Sequence, residues 1–114
     1  MIRRKDEVQP IYDEKCHGGE GVLSCMSMLR RTDSEHGFIC FHHDVIPSGT
    51  SIGEHVHTHD EEIYYLYEGT CTLLYDGEKI PMHAGDLSIV RSGHSHGLIN
   101  DSQTDAVLIV VAAE

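Results

Sequence analysis

The stretch GTSIGEHVHTHDEEIYYLYEG at positions 49–69 decides the expected fold and site of this 114-residue chain. Side chains alternate between the two faces of a β-strand, so His55 and His57 project from one face, about 7 Å apart at their Cα atoms. Glu62 begins the next strand-like run, and a hairpin at the intervening turn would direct its carboxylate back toward both imidazoles. By strand parity alone, His59 competes with His57 as a partner of His55.

Beyond residue 38 the chain consists of short apolar or alternating runs at regular spacing. Turn residues rich in glycine separate these runs, which are FICFHHDVI, SIGEHVHTH, EIYYLY, CTLLY, LSIV, HGLIN and AVLIVVA. Asp76-Gly77 is a tight hairpin signal, and no segment shows a long helical period. The pattern therefore predicts an all-β sandwich or barrel.

The N-terminal residues lack the regular pattern of short apolar runs and turns that the rest of the sequence shows. Residues 1–35 are predicted to form an arm and a first strand, with a turn at Gly18-Gly19 followed by a short strand or helical turn. Residues 36–114 are predicted to form the barrel core. Because the sequence has no internal repeat, low-complexity tract or linker, we expect a single domain over 1–114.

Composition and charge restrict the possible partners. The formal net charge of −11 makes the surface repel phosphate backbones, so nucleic acid is not expected as a partner. No apolar run approaches the length of a membrane span. The start, MIRRKDEVQP, lacks the apolar stretch of a secretory signal, so we expect a cytoplasmic protein.

The four cysteines are expected to be free thiols. They lie at positions 16, 25, 40 and 71, and none belongs to a CxxC pair. Without a secretion signal, disulfides are disfavoured. A thiolate zinc site is also disfavoured, because no cysteine has a close-spaced partner.

The histidines point to a metal site. The chain has ten, and several are clustered in sequence. Neutral imidazole and carboxylate ligands suit divalent Mn, Fe, Co, Ni and Zn. His96 could join His55, His57 and Glu62 only if the sheet closes on itself. The alternative interpretation is a surface strand with a histidine-rich tract and no ligand role.

These residues resemble the two sequence motifs of the cupin family. The first motif corresponds to Gly49, His55, His57, Glu62 and Gly69, and the second to Gly85, Gly93, His96 and Asn100. Arg91 replaces the proline of the second motif. The resemblance implies a double-stranded β-helix barrel of the jelly-roll type, in which His55, His57, Glu62 and His96 bind one divalent metal per chain. It also selects His57 over His59 and implies a homodimer.

The resemblance extends to small single-domain cupins often called oxalate decarboxylase-like. It implies a metal-dependent enzyme, such as a decarboxylase, dioxygenase or isomerase, acting on a small oxygen-rich acid or carbonyl compound. The alternative function is a non-catalytic, metal-dependent module that binds or senses a small molecule such as a carboxylate. No side chain is identified as a catalytic acid or base.

Two further side chains are candidates for contact with a bound molecule. Tyr64 lies two residues after Glu62 and should share its inward face. One of His42 and His43 faces the interior; the sequence leaves the choice open, and His43 is the candidate contact.

Overall fold

Ten β-strands form the chain in the computed structural model, which describes residues 1–114. The strands are β1 (Ile11–Glu14), β2 (Val22–Arg30), β3 (Phe38–Ile46), β4 (Ser51–Val56), β5 (Glu61–Glu68), β6 (Thr70–Tyr75), β7 (Glu78–His83), β8 (Leu87–Val90), β9 (Ser95–Ile99) and β10 (Ala106–Ala113). Short 3₁₀ turns lie at Lys5–Glu7, Cys16–Gly18 and Arg31–Asp33. The predicted all-β class is confirmed, and no helix has the length and apolarity needed to span a membrane.

The strands form two antiparallel sheets. The six-stranded sheet has the order β1-β2-β3-β10-β5-β8, and the four-stranded sheet has the order β4-β9-β6-β7. The chain passes repeatedly from one sheet to the other. The last strand, β10, pairs with both β3 and β5 and lies between them. This is the predicted jelly-roll barrel.

The hydrophobic core lies between the facing sheets. Every second residue of β10 is buried, namely Ala106, Leu108, Val110 and Ala112. In β5, Tyr64 and Leu66 point inward, whereas Tyr65 and Tyr67 point outward, as strand alternation predicts.

Three strands, β1, β2 and β7, lie outside the runs that the sequence pattern predicted. β2 is a nine-residue strand that pairs with β3 inside the six-stranded sheet, where a short strand or helical turn was expected. β7 contains Pro81, which a strand tolerates here because β7 is the edge strand of its sheet. The predicted hairpin joins β6 to β7, and Asp76 and Gly77 both have positive φ, as a type I′ turn requires.

Asn100 fixes the chain after β9, as the motif position suggested. Its side-chain amide is fully buried and donates to the carbonyls of Ile46 at 2.7 Å and Thr104 at 2.8 Å. Its Oδ1 accepts from the backbone N–H of Ser102 at 3.1 Å and from the Ser102 hydroxyl at 2.7 Å. These bonds tie the end of β9 to the end of β3.

Candidate metal centre

A β-bulge in β4 turns His55 toward the interior. Ile52 lies opposite Leu98 of β9, but His55 lies opposite His96, so β4 advances three residues while β9 advances two. The extra residue reverses the parity of the strand. Consequently Ile52 and His55 both face the barrel interior, although strict alternation would place them on opposite faces.

His57 follows directly after β4 and is held by its backbone and its ring. Its backbone N–H donates to the carbonyl of His94 at 3.1 Å, and its own carbonyl accepts from the N–H of Gly93 at 2.7 Å. Its Nδ1 lies 3.0 Å from Oδ1 of Asp60. A carboxylate at Nδ1 keeps the proton on that nitrogen and leaves Nε2 free for a metal.

Glu62 approaches the histidines from the other sheet. The expected hairpin between β4 and β5 is wrong, because β4 belongs to the four-stranded sheet and both edges of β5 are occupied by β10 and β8. The connection after His57 crosses between the sheets instead. Glu62 still faces the imidazoles, because the two sheets face each other across the barrel.

His96 is completely buried at the centre of the group. Its Nε2 lies 3.1 Å from Nε2 of His57 and 3.1 Å from Oε1 of Glu62. The ring of Tyr64 stacks on its imidazole, with 3.9 Å between ring centroids and 13° between the planes. Its Nδ1 is buried and has no hydrogen-bond partner.

The geometry of the four side chains fits a metal ion. One ligand atom from each of them lies within 4.8 Å of all the others, and Nε2 of His57 is 3.5 Å from Oε1 of Glu62. Two ligands at right angles on an ion, each about 2.1 Å from it, are about 3.0 Å apart. Nδ1 of His55 is 2.7 Å from the Gly53 carbonyl, which leaves the Nε2 of that ring for a metal. The structure therefore brings all four predicted ligands together around one point.

The electrostatics of the group favour its metal-binding protonation state. Burial raises the pKa of Glu62, but the hydrogen bond from His96 and the nearby imidazoles outweigh it and hold the pKa below its ordinary value. Burial lowers the pKa of His55, against the effect of the Gly53 carbonyl, and the neighbouring imidazoles lower it further. A carboxylate anion and neutral imidazoles are the forms that bind a metal.

An N-terminal turn that the sequence did not assign to the site packs against it. His17, within the turn Cys16–Gly18, stacks on His55 with 3.6 Å between ring centroids and 13° between the planes. A Cβ on Gly53 would lie 2.1 Å from the carbonyl oxygen of His17. The close approach of the two backbones therefore requires glycine at position 53. Glycines were the only feature of the sequence that could have indicated this contact.

The site opens into a cavity of about 150 Å³. Besides His55, Glu62 and Tyr64, the ionisable side chains that line it are Asp13, Cys16, His17, Cys25, His42 and Asp44. Most of them come from residues 1–35, which were predicted to form an arm and a first strand. Tyr64 lies in the cavity wall, as its parity with Glu62 predicted.

The structure places His42 on the inner face, so His43, the candidate contact, does not face the cavity. Asp44 and Ile46 of β3 are buried, which places His42 on the same inner face and His43 on the outer face. His42 lines the cavity, whereas His43 lies in a depression beside Met26 on the outside of the six-stranded sheet.

Three polar residues close to the ligands in sequence lie in turns. His59 occupies the turn after His57 with a φ of 65°. His94 lies in the turn before β9, where its Nδ1 is 2.7 Å from Oδ2 of Asp76. Arg91, in the place of the motif proline, is exposed in the same turn.

Sequence comparisons agree with this architecture. The family model described as Cupin domain matches residues 42–112. The chain is also 30% identical over 111 residues to a Thermotoga maritima protein named "Oxalate-binding protein", and the alignment covers 97% of this chain and 92% of that one.

Solved structures show the same fold. A crystal structure of a predicted oxalate decarboxylase from Thermotoga maritima matches with a TM-score of 0.93 and 29% identity, covering 99% of this chain and 98% of that one. KdgF from a Halomonas species matches in fold, with a TM-score of 0.80 and 15% identity over 99% of this chain and 92% of that one. The family match over more than half of the chain and the relative aligned along nearly its full length lead to one conclusion: the protein belongs to the cupin family.

Proposed function

We propose that this cupin binds one divalent transition metal (Mn, Fe, Co, Ni or Zn) and holds a small carboxylate, of about the size of oxalate, on that metal. The observation that carries the proposal is the convergence of four ligand atoms next to a small cavity, which His55 and Glu62 line. The ligands are His55, His57, Glu62 and His96. They fill four positions, so a six-coordinate ion keeps two for a chelating ligand.

The size of the cavity supports a ligand of a few heavy atoms. Pockets for drug-sized molecules occupy roughly 300–1,000 Å³, and the cavity here is about 150 Å³. A Thermotoga maritima relative is named for binding oxalate, which has six heavy atoms.

The charge of the cavity makes binding of an acid dependent on the metal. Glu62, Asp13 and Asp44 line the cavity, and its lining contains no lysine or arginine. Carboxylates of like charge repel an incoming dicarboxylate in a partly desolvated space. A bound divalent cation supplies the positive charge that the side chains lack.

Calorimetry of the full chain tests this proposal. We expect oxalate to bind the metal-loaded protein, the longer succinate to bind more weakly, and neither to bind after chelator treatment. His57→Gln should abolish oxalate binding together with metal binding at these four ligands. Oxalate binding that survives complete metal removal, or its absence with all five metals, would contradict the proposal.

A second candidate function is turnover of the bound acid. It is favoured by protic side chains in the same cavity that are not predicted metal ligands, chiefly His17 and Cys16. Decarboxylation of oxalate breaks the carbon–carbon bond, releases carbon dioxide and requires one proton to complete formate. A bound metal would polarise the carboxylate oxygens, and His17 would supply the proton.

Product analysis separates the two functions. Formate and carbon dioxide released by the metal-loaded protein, and reduced in His17→Gln without loss of metal, would support the enzyme. Oxygen uptake with small dicarbonyl compounds would indicate a dioxygenase. Tight oxalate binding with no product under any of these conditions would show that the protein binds the acid without turning it over.

We also propose that the chain forms a homodimer through the outer face of its six-stranded sheet. A depression on that face is lined by Met26, Met28, Phe41, His43 and Ile109, together with Lys5. Exposed apolar side chains on a sheet face favour association. Light scattering after gel filtration should give twice the chain mass, and Phe41→Glu should give a monomer; a monomeric wild type would refute the dimer.

A further inference from the structure

A second group of ligand-type side chains lies on the inner face of the six-stranded sheet. It consists of Cys25, His42 and Asp44, whose ligand atoms all lie within 4.8 Å of one another. Cys25 of β2 lies directly opposite Asp44 of β3, and His42 precedes Asp44 by two residues. Directly opposed residues and residues two apart share a face of a sheet, so the backbone itself brings the three side chains together.

The Cys25 thiol hydrogen-bonds to the Asp44 carboxyl, but one oxygen of that carboxyl has no partner. Asp44 is only 5% exposed, and its Oδ1 is buried without a hydrogen-bond partner. It lines the cavity together with Cys25 and His42. Protein interiors rarely leave such an oxygen unsatisfied, so its position points to a group that occupies the adjoining space.

The surroundings provide no fixed cation to pair with this carboxylate. On the other side of β3, Leu108 lies opposite Asp44 and Val110 lies opposite His42, and both are buried apolar residues. Burial raises the pKa of the Asp44 carboxyl, and burial together with Asp44 raises the pKa of the Cys25 thiol. Two acidic groups thus meet on the inner face of the sheet, where a metal ion would replace their protons.

We propose that Cys25, His42 and Asp44 form a second metal site, separate from the one at Glu62, for a thiophilic divalent ion such as Zn²⁺. Thiolate, imidazole and carboxylate are all zinc ligands, and three protein ligands leave the fourth tetrahedral position open to the cavity. The sulfur ligand makes this site softer than the set of three histidines and one glutamate. The proposal does not depend on the cavity holding a carboxylate.

Zinc stoichiometry is the first test. After dialysis against Zn²⁺, the wild-type chain should retain two zinc ions. Cys25→Ser and Asp44→Asn should each retain one, and so should His57→Gln, which removes only the first site. Cys40→Ser is the matched control, because Cys40 is also half-buried but does not line the cavity; it should retain two.

Spectroscopy identifies the sulfur ligand. With Co²⁺ in place of zinc, a thiolate-to-metal charge-transfer band should appear in the wild type and in His57→Gln and disappear in Cys25→Ser. It should survive in Cys16→Ser, which removes the other thiol of the cavity. A band that disappears in Cys16→Ser and persists in Cys25→Ser would overturn the proposal.

A measurement on the wild type alone covers the case in which a variant fails to fold. X-ray absorption of the zinc-loaded wild-type chain should show a sulfur neighbour at about 2.3 Å. One zinc per chain with only nitrogen and oxygen neighbours would overturn the second site and leave the first intact. Two zinc ions with a sulfur neighbour, together with no binding of oxalate, would support the second site while contradicting the proposed function.

Discussion

The ring of Tyr64 lies face to face with the imidazole of His96, at 3.9 Å between ring centroids. Both side chains are at most 1% exposed, and Tyr64 also lines the cavity. The tyrosine thus supports a predicted metal ligand with one face and forms part of the cavity wall. Burial, and then the charge of Glu62, raise the pKa of Tyr64 well above its ordinary value, so the hydroxyl stays protonated at neutral pH and can donate a hydrogen bond.

Substitutions at Tyr64 should separate support of His96 from contact with a ligand. Tyr64→Ala removes the stacked ring and should lower the free energy of unfolding by about 3–5 kcal/mol, with weaker metal binding. Tyr64→Phe keeps the ring and should leave metal affinity unchanged while weakening oxalate binding. Calorimetry and urea denaturation measure these effects; equal loss of metal affinity in both variants would show that the ring is not what supports His96.

Substitutions at His57 and His59 form a matched pair that tests which of the two histidines contributes to stabilisation by bound metal. In the wild type, free metal at 100 times its Kd should add about 2.7 kcal/mol and raise Tm by about 10 °C. His57→Gln should lose the part of this increment that comes from metal bound at Glu62 and the three histidines, because Nε2 of His57 is one of the converging atoms. His59→Asn should keep it, because asparagine tolerates the positive φ of this turn.

Differential scanning calorimetry with and without a chelator measures that increment. The chelated wild type and chelated His57→Gln should melt at nearly the same temperature. If His59→Asn lost the metal-linked increment while His57→Gln kept it, the assignment of ligands would be contradicted.

Gly53 and Gly18 test the close approach of the N-terminal turn to β4. A Cβ at position 53 would meet the His17 carbonyl oxygen at 2.1 Å, so Gly53→Ala must displace one of the two backbones. We expect a loss of about 3 kcal/mol and separation of the His17 and His55 rings. Gly18→Ala meets no atom within 4 Å and should cost only the strain of its φ of 79°, about 1–2 kcal/mol.

Urea denaturation and the NMR shifts of the imidazole protons distinguish these two variants. Ring-current shifts of His55 should change in Gly53→Ala and remain in Gly18→Ala. Unchanged stacking in Gly53→Ala would show that the turn does not depend on the glycine.

The stability of the metal-free protein should fall on acidification below about pH 6.5. Burial lowers the pKa of His55 from 6.5, so between its folded value and 6.5 the unfolded chain binds a proton that the folded chain does not. Stability therefore rises with pH across this window and levels off above it. Glu62 acts at lower pH: its folded pKa lies below 4.5, so the stability it contributes is present above 4.5 and is lost as pH falls through the folded pKa.

Urea denaturation in the presence of a chelator, at a series of pH values, measures both contributions. His55→Gln should flatten the dependence just below pH 6.5, and Glu62→Gln should flatten it below pH 4.5. A wild-type stability that is constant from pH 4.5 to 8 would contradict the shift of His55, and one that stays constant as the pH falls below 4.5 would contradict the shift of Glu62.

The sequence by itself predicted the all-β class and the group of His55, His57, Glu62 and His96. Period-two alternation is a local property of a strand, and it is visible in runs such as β10 and in the inward pairing of Glu62 with Tyr64. Motif spacing, through the resemblance to cupins, then selected His57 over His59. These inferences succeeded because they depend on neighbours in the chain or on fixed spacings.

Only the tertiary structure decided which face of each strand is the inside. The bulge before His55 reverses the parity of β4, and the burial of Asp44 turns His42, not His43, into the cavity. His17 and Cys25 reach the cavity because β2 joins the six-stranded sheet and the glycine backbones let the N-terminal turn pack on β4. Parity and pairing depend on contacts between residues far apart in sequence, and no local pattern contains that information.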